Sequence, residues 1–515
     1  MTVLAATTFF AAALAAQIVS VSPQDMSRKG TIDERFQSFN VEMVEVTGGR
    51  FWAPFGKQGS AAHEQPAPNL SGPAINPAVF RMRPPTDLAN PRLRKLAAAL
   101  GPAYVRVSGT WANSTFFQDS DDPAPTTPPP GFGGVLTRRE WQGVVDFSRT
   151  VNARIVTSFA ISAGVRDANG VWTPDQAQKL LTFTRTIGGT IAAAEFFNEP
   201  NIAAMGGAPK GYDAAAYGRD FSIFRSFARE HSPGMLILGP GSVNELTMLA
   251  SGFPMLKSQD MLAAIGPGLD AVSYHFYGAV SKRCGSMAAA GQTTEEAALS
   301  EDWLSRTDRD EAFHAKLRDR FEPGKPLWLT ETAESACGGN PWAASFIDTF
   351  RYVDQLGRLA QRGVQVVAHN TLAASDYALI DEDTLAPRPS YWAAVLWRRL
   401  MGTTVLDAGT SPVATVHLYA HCLRGQSGGV AVLAINTDRQ RSHDLAFPLK
   451  GESYTLTSKN LMGASVELNG SELKVGAHDV LPEMPGRPTS AGRVQLGPTS
   501  ITFFAFRDAG NASCN

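Results

Sequence analysis

Short apolar runs alternate with longer amphipathic stretches through the middle of the chain. Two of those stretches, 174–187 and 214–231, have the spacing of helices that bury one face. The apolar runs read as buried strands and lie at 104–107, 154–159, 194–197, 235–238, 271–274, 327–330 and 364–368. Strand–helix alternation on this scale predicts an α/β protein, and the number of units favours a closed (β/α)8 TIM barrel over an open sheet.

The pattern changes near residue 397. The runs at 413–420, 429–436, 453–457 and 501–506 are short and are separated by Gly, Pro, Asn and Ser, which is typical of a β-sandwich. We therefore expect a catalytic barrel over 30–397 and a β-sandwich domain formed mainly by the C-terminal region, 398–515. The N-terminal strand of the first region can join the sandwich.

The first residues and the overall charge limit the possible locations and partners. The apolar, alanine-rich start of the chain predicts a signal peptide over 1–16, and hence a secreted or extracytoplasmic protein without a membrane span in its mature form. A membrane anchor or an unstructured extension is the alternative. The net charge is −2, and no long Lys/Arg run is present. This argues against nucleic acid as a partner.

Two glutamates, Glu199 and Glu331, each follow one of the predicted strands. In a β/α barrel, catalytic side chains lie at the C-terminal ends of the strands. Two carboxylates at two such ends can face each other across a cleft, as glycoside hydrolysis requires. Strand alternation places Leu327, Leu329 and Glu331 on one face, and Glu199 on the same face as the deeper Glu195.

Each of these residues also has a simpler interpretation. The triplet from Asn198 to Pro200 suits an ordinary turn, and glutamates near strand ends are common. Glu334 is a rival nucleophile, although it lies past the strand in a predicted loop. Glu195 is expected to form a buried ion pair, with Arg106 as its candidate partner, because burial of an unpaired charge is costly.

Three further groups are candidates for contacts with a sugar. His275 and Tyr277 end another strand and could hydrogen-bond the nucleophile or the substrate; a packed aromatic cluster is the alternative. The amides of Gly338 and Gly339 could bind a carboxylate, or the pair could simply form a turn. Of the four cysteines, Cys422 and Cys514 fall in the same C-terminal module, where one disulfide is expected; the spacing fits no zinc site.

At these residues the chain resembles the heparanase-like β-glucuronidases, glycoside hydrolase family 79. The matching segments are 102–110, 198–201, 275–277, 328–332 with 338–339, 376–381, and in the tail 418–422 and 503–506 leading to Cys514. Two departures concern the loops near the predicted site. Cys337 stands where family members have Tyr, and Ser375 replaces a Gly.

The resemblance implies a role for each matching residue and no metal or organic cofactor. Glu199 is the implied acid/base and Glu331 the nucleophile of a retaining mechanism, while Tyr277 orients Glu331. The implied substrate-binding residues are Glu42, Thr110, Asn198, His275, Tyr277, Gly338, Gly339 and Tyr377, of which Tyr377 and the two glycine amides hold the uronate carboxylate. Arg106 and Glu195 are structural, and Cys422–Cys514 is the implied disulfide.

The predicted function is therefore a retaining glycoside hydrolase that cleaves β-linked glucuronic acid from a saccharide or glycoside. One alternative is an endo-acting heparanase that cuts heparan sulfate, and basic residues along an open cleft would favour it. A second is a non-catalytic glycan-binding protein on the same fold. A third is a barrel glycosidase that acts on neutral sugars.

Overall fold

The structure is a computed structural model that describes residues 18–55, 77–252, 254–284 and 291–515. The predicted signal peptide, 1–16, lies outside the described residues. Within the described part of the chain, no helix combines the length and the apolar character that crossing a membrane requires.

Eight parallel strands close into a barrel in which each strand pairs with the next along the chain and the eighth pairs with the first. This confirms the predicted TIM barrel. The barrel strands, first to eighth, are Gln37–Glu42, Ala103–Ser108, Ala153–Thr157, Ile191–Glu195, Leu236–Val243, Ala271–Tyr277, Leu327–Ala333 and Val366–His369. The first strand is not among the predicted runs, because polar residues such as Ser38 and Asn40 interrupt its apolar character.

Helices surround the barrel and cover its outer face with apolar side chains. The longer helices are Pro91–Ala98, Arg138–Thr150, Asp175–Thr186, Ala214–His231, Ser258–Ile265, Arg306–Phe321, Phe346–Gln361 and Pro389–Leu400, and shorter ones are Met43–Thr47, Glu245–Ser251 and Glu301–Leu304. Inside the barrel, a separate apolar layer is contributed by Tyr104, Val156, Ala193, Leu238, Ala271, Trp328 and Val366. This layer fills the barrel below the strand ends, so the polar residues of the site rest on a packed floor.

The C-terminal region forms a β-sandwich, and two N-terminal strands each add to one of its two sheets. The larger sheet has the order Arg28–Thr31, Met401–Leu406, Val416–Leu423, Val430–Asn436, Ser500–Phe506, Gly451–Thr457, Glu467–Leu468 and Ser471–Glu472, with Arg487–Thr489 paired to Gly451–Thr457. The smaller sheet consists of Val19–Ser20, His443–Phe447 and Gly492–Leu496. Apolar residues of both sheets pack against each other between them.

The central strands of the larger sheet, Val430–Asn436 and Ser500–Phe506, are buried on both faces. Leu418 and Phe504 face the smaller sheet, whereas Tyr419 and Phe503 belong to the core that the sheet shares with the barrel. At Gly357 the helix Phe346–Gln361 lies so close to the Tyr419 ring that a Cβ would collide with it. The sandwich therefore supports the barrel from one side, and the Cys422–Cys514 disulfide ties one of its strands to the C-terminus.

Candidate active site

An irregularity in the pairing of the sixth and seventh barrel strands makes the Glu331 side chain point into the barrel. His275 pairs with Glu331 but Tyr274 pairs with Leu329, so Thr330 is an extra residue on the seventh strand. Leu329 packs outward against the helices, while the Thr330 hydroxyl points inward and donates to Glu195 at 2.7 Å. The prediction that Leu329 and Glu331 share a face is therefore wrong, because the extra residue reverses the alternation before Glu331.

The fourth barrel strand ends at Glu195, four residues before Glu199. Glu199 lies in the following turn, in the left-handed region with φ of 51°, and Pro200 begins a short 3-10 helix after it. Glu195 and Glu199 both face the interior of the barrel, where His275 lies 3.8 Å from Glu195 and 3.1 Å from Glu199, but the turn and not strand alternation places Glu199 there. Non-glycine residues seldom adopt this conformation, which is enriched at functional sites.

Glu199 and Glu331 meet across one cleft at the C-terminal end of the barrel. A carboxylate oxygen of each lies within 4.8 Å of the other. They are only 8% and 5% exposed, and both line the cleft. A substrate in the cleft can therefore reach both carboxyl groups at once, while bulk water has little access to either.

Arg106 hydrogen-bonds three side chains beneath the cleft. Its guanidinium donates to Glu331 at 2.7 Å, to Glu195 at 2.8 Å and to the side-chain oxygen of Asn198 at 2.8 Å. Burial favours the protonated form of Glu195, but Arg106, His275 and the Thr330 hydroxyl outweigh it and hold the pKa of Glu195 below its ordinary value. Glu195 is thus a buried counter-anion for Arg106, and Asn198, which is 1% exposed, is not among the described residues that line the cleft.

His275 lies beneath the two cleft carboxylates and has no exposed surface. Its Nδ1 lies 3.1 Å from Glu199 and 3.7 Å from Glu331. Burial lowers the pKa of His275, but the negative charge of Glu331 and hydrogen bonds to Glu195 and Glu199 raise it to about 9. The carboxylate contacts thus favour the imidazolium form, and Nε2 also lies 3.2 Å from the Arg106 guanidinium. His275 contacts the carboxylates, and the structure does not place it in the cleft as a sugar ligand.

Glu199 has the environment of a proton donor. Burial and the negative charge of Glu331 raise its pKa, while the hydrogen bond from His275 and the charge of Arg106 work in the opposite direction. The net result is a pKa above the ordinary glutamate value.

Glu199, His275 and Glu331 also present ligand atoms close enough together to hold a metal ion. However, a cation already occupies this place, because the Arg106 guanidinium donates to Glu331 at 2.7 Å and lies 3.2 Å from His275 Nε2. The arrangement therefore favours acid/base chemistry over metal binding.

Asn370 is a cleft residue that the sequence analysis missed. It follows the eighth barrel strand, and its side-chain nitrogen lies 3.0 Å from the Tyr277 hydroxyl and 3.2 Å from both the Tyr377 hydroxyl and Glu42 Oε1. Tyr277 in turn donates to Glu331 at 2.6 Å. The two catalytic candidates were identified as polar residues that follow an apolar barrel strand. The same rule would also have identified Asn370.

Glu42 lines the cleft at the end of the first barrel strand, with Thr110 beside it. Burial and the nearby charge of Glu331 raise the pKa of Glu42 well above its ordinary value. Its Oε2 is buried without a hydrogen-bond partner and lies where a Cβ on Gly109 would be, only 1.5 Å away. Gly109 has φ of 92°, a backbone conformation that favours glycine, and the absence of a side chain there leaves room for the Glu42 carboxyl.

The loop after the seventh strand carries Gly338 and Gly339 and lies close to Tyr377. Only part of the carboxylate-binding role predicted for these two glycines is possible in this geometry. The Gly339 amide donates to the Ser335 carbonyl at 3.2 Å, and its carbonyl accepts from Ser281 at 2.7 Å. The expectation that both glycine amides are available for a carboxylate therefore fails for Gly339, because its loop uses that donor internally. Gly338 accepts through its carbonyl from Ser375, while Tyr377 itself lines the cleft.

A second disulfide, Cys284–Cys337, links the loops that follow the sixth and seventh strands. The sequence analysis expected only the Cys422–Cys514 bond, because nothing in the spacing brings these two loops together. Cys337 lines the cleft directly before Gly338. Glu334 is buried in the same loop and accepts from Ser335 and Asn340, so it fixes the turn instead of facing the cleft.

No protein-family model matches the chain. Curated proteins nevertheless align over most of it. Mouse heparanase is 28% identical over 489 residues, covering 83% of this chain and 88% of that protein. Hyaluronoglucuronidase from Hirudo nipponia is 25% identical over 486 residues, covering 83% and 91%. Heparanase-like protein 1 from Arabidopsis thaliana is 24% identical over 493 residues, covering 83% and 86%.

Solved structures agree with the architecture. A GH51 arabinofuranosidase from Xanthomonas axonopodis pv. citri has a TM-score of 0.59 at 17% identity and covers 95% of this chain and 99% of its own. A 4-O-α-L-rhamnosyl-β-D-glucuronidase from Fusarium oxysporum has a TM-score of 0.59 at 13% identity, covering 95% and 100%. At these identities the likeness concerns the fold. With the curated relatives, it supports a glycoside hydrolase, and the resemblance of this chain to the heparanase-like proteins is confirmed.

Proposed function

We propose that the protein is an exported, retaining glycoside hydrolase that cleaves β-linked glucuronic acid. The observation that carries the proposal is the pair Glu199 and Glu331, whose carboxylate oxygens approach within 4.8 Å in different environments. Retaining enzymes hold their two carboxyl groups about 5–5.5 Å apart, whereas inverting enzymes leave about 6.5–9.5 Å for a water molecule. The approach seen here favours retention.

Glu199 starts protonated and gives its proton to the glycosidic oxygen as the bond to the anomeric carbon breaks. Glu331 attacks that carbon and forms a covalent glycosyl-enzyme. Glu199, now a carboxylate, then takes a proton from water, whose oxygen attacks the anomeric carbon and releases Glu331. Tyr277 and Arg106 each donate to a different oxygen of Glu331, which fixes its orientation for both steps.

The preference for a uronic acid rests on the polar side of the cleft. The Tyr377 hydroxyl and Glu42 both lie 3.2 Å from the Asn370 side-chain nitrogen there. Burial and the charge of Glu331 raise the pKa of Glu42 well above its ordinary value, which favours the protonated carboxyl, and burial raises the pKa of Tyr377. These side chains can therefore offer hydrogen bonds to a substrate carboxylate. The glucuronidase name of the Hirudo nipponia relative supports the same choice.

Hydrolysis of a chromogenic β-glucuronide beside the matching β-glucoside tests this function. The wild type should cleave the glucuronide, and Glu199→Gln and Glu331→Gln should each abolish cleavage. Glu230→Gln is the matched control, since Glu230 is exposed on the outside of the barrel. Equal cleavage of the glucoside would contradict the carboxylate preference, and activity in either cleft variant would contradict its role.

An endo-acting heparanase is the second candidate, because several of the curated relatives are heparanases. Heparan sulfate is its discriminating substrate. A fall in chain length without release of free glucuronic acid would favour the endo-enzyme, and release of glucuronic acid from chain ends would favour the exo-enzyme.

A further inference from the structure

The cleft has two chemically different sides. Its polar residues come mainly from the ends of the seventh, eighth, first and second strands, and include Tyr377, Asn370, Glu42 and Thr110. The loops that follow the fourth and fifth strands contribute the apolar residues Ile202, Met205, Val243 and Met248, together with the polar Asn244 and Thr247. Trp52 and Trp111 line the cleft after the first and second strands. The patch formed by Ile202, Met205, Val243 and Met248 is called the apolar wall below.

The apolar wall lies on the side of the proposed proton donor. Ile202 and Met205 follow Glu199 directly in the chain, and Val243 ends the neighbouring fifth strand. A glycosidase protonates the oxygen of the leaving group, which must therefore extend past the acid. In a barrel with this strand order, the leaving group passes over the apolar wall while the sugar ring occupies the polar side.

The wall is held in place without a ligand. Asn201 donates from its side-chain nitrogen to the Val243 carbonyl at 2.8 Å and accepts from the Val243 amide at 2.9 Å. These two bonds lock the acid loop to the end of the fifth strand. Ile202 and Met248 also pack against the cluster that contains Val243 and Tyr277. A preformed apolar surface loses little conformational entropy when it binds a ligand.

The described residues that line the cleft include no Lys or Arg, so among them a sulfated sugar finds no counter-charge. Nearby Arg283 donates to Asp376 at 2.8 Å, on the polar side of the cleft. A sulfate placed against the apolar wall would lose water without gaining a cation, which is costly. The enclosed part of the cleft holds about 170 Å³, and the cleft opens to solvent at its mouth, so a leaving group can extend from the sugar ring along the wall toward the mouth.

We propose that the leaving-group side of the cleft is an apolar subsite, formed by Ile202, Met205, Val243 and Met248, that takes an alkyl or aryl aglycone. This rests on the proposed function, because the position of the aglycone follows from Glu199 as the acid. The natural substrate is then a glucuronide of an apolar alcohol or phenol, and a sulfated glucosamine is disfavoured at this position.

Hexyl and methyl β-glucuronide test the subsite, because both release a primary alcohol of similar acidity and share the same sugar. Their kcat/KM values therefore differ mainly through contacts of the aglycone. The hexyl compound should be cleaved at least about tenfold more efficiently, since even one methylene in an apolar pocket can change this ratio by that factor. A glucuronide of 6-O-sulfated glucosamine should be cleaved less efficiently than the hexyl compound.

The variant Met205→Ser/Met248→Ser should lower the hexyl-to-methyl ratio about fivefold or more, because it removes two thioether side chains from the wall. Leu249→Ser is the matched control on the helix Glu245–Ser251, since Leu249 is 40% exposed and does not line the cleft. It should leave the ratio unchanged.

The possible failures are distinguishable. If no glucuronide is cleaved, the proposed function is wrong. If methyl and hexyl β-glucuronide are cleaved equally well, if the sulfated substrate is preferred, or if the double variant keeps the wild-type ratio, the apolar subsite is wrong and the glucuronidase activity stands.

Discussion

The Tyr277 hydroxyl donates a 2.6 Å hydrogen bond to Oε1 of Glu331, while Arg106 donates to Oε2 at 2.7 Å. Both carboxylate oxygens are therefore held before a substrate arrives. Tyr277 is itself positioned by Asn370 at 3.0 Å. Glu331, the proposed nucleophile, is thus preorganised by direct donors from the second and sixth strands, and the second of these donors is held by a residue that follows the eighth strand.

Tyr277→Phe should lower kcat for a glucuronide by about 10–100-fold, because a hydrogen bond to a charged group contributes roughly 1.5–3 kcal/mol. The ring and its packing remain, so the unfolding temperature should change little. Steady-state kinetics and thermal unfolding measure the two effects separately. An unchanged kcat would show that the hydroxyl does not orient Glu331.

The alkaline limb of the activity profile should depend on His275. Glu199 acts as an acid only while protonated, and its pKa is raised, so activity is present below that pKa and is lost as the pH rises through it. The imidazolium of His275 lowers the pKa of Glu199. His275→Gln removes this charge, and the alkaline limb of kcat/KM should move to higher pH. A shift to lower pH, or none, would contradict the assignment.

Gly109→Ala should reduce activity about 100-fold or more. Its Cβ would lie 1.5 Å from Oε2 of Glu42 and would displace that carboxyl from the cleft. Gly170→Ala is the matched control, because Gly170 also has a positive φ, 72°, but open space around its Cβ position. The control should lose about 1 kcal/mol of unfolding free energy through backbone strain alone and keep its activity. Similar kinetics for both variants would rule out the steric argument.

The two disulfides should differ in their effect on catalysis. Loss of either bond, as Cys284→Ser/Cys337→Ser or Cys422→Ser/Cys514→Ser, should lower the free energy of unfolding by about 2–5 kcal/mol. Only the first pair fixes a loop that lines the cleft, so only its loss should raise KM for a glucuronide. An unchanged KM in the first variant, measured below its unfolding temperature, would show that the loop holds its shape without the bond.

Much of the fold follows from local patterns, and the exceptions have physical causes. Seven of the eight barrel strands are apolar enough to be recognised, but the first strand carries Gln37, Ser38 and Asn40 among its six residues. Its burial depends on partners such as the Thr330 carbonyl, to which Asn40 donates at 3.2 Å. Such tertiary contacts leave no periodic signal in the sequence.

The geometry of the candidate site likewise depends on tertiary contacts that the sequence pattern does not reveal. Glu199 and Glu331 could be predicted because each follows an apolar run, whereas the geometry that directs them could not. Glu331 depends on one extra residue in its strand, and Glu199 on a left-handed turn. The Cys284–Cys337 bond joins two loops that are 53 residues apart, and only the closed barrel brings them together.

Covalent labelling is the most direct test of the central claim, that Glu331 is the nucleophile of a retaining enzyme. A 2-deoxy-2-fluoro-β-glucuronyl fluoride should inactivate the wild type, and the intact mass should rise by one fluoroglucuronyl group. Peptide mapping should place the label on Glu331, and Glu331→Gln should remain unlabelled. A label on Glu334 or Glu199, or release of α-configured glucuronic acid as the first product without any label, would contradict the account.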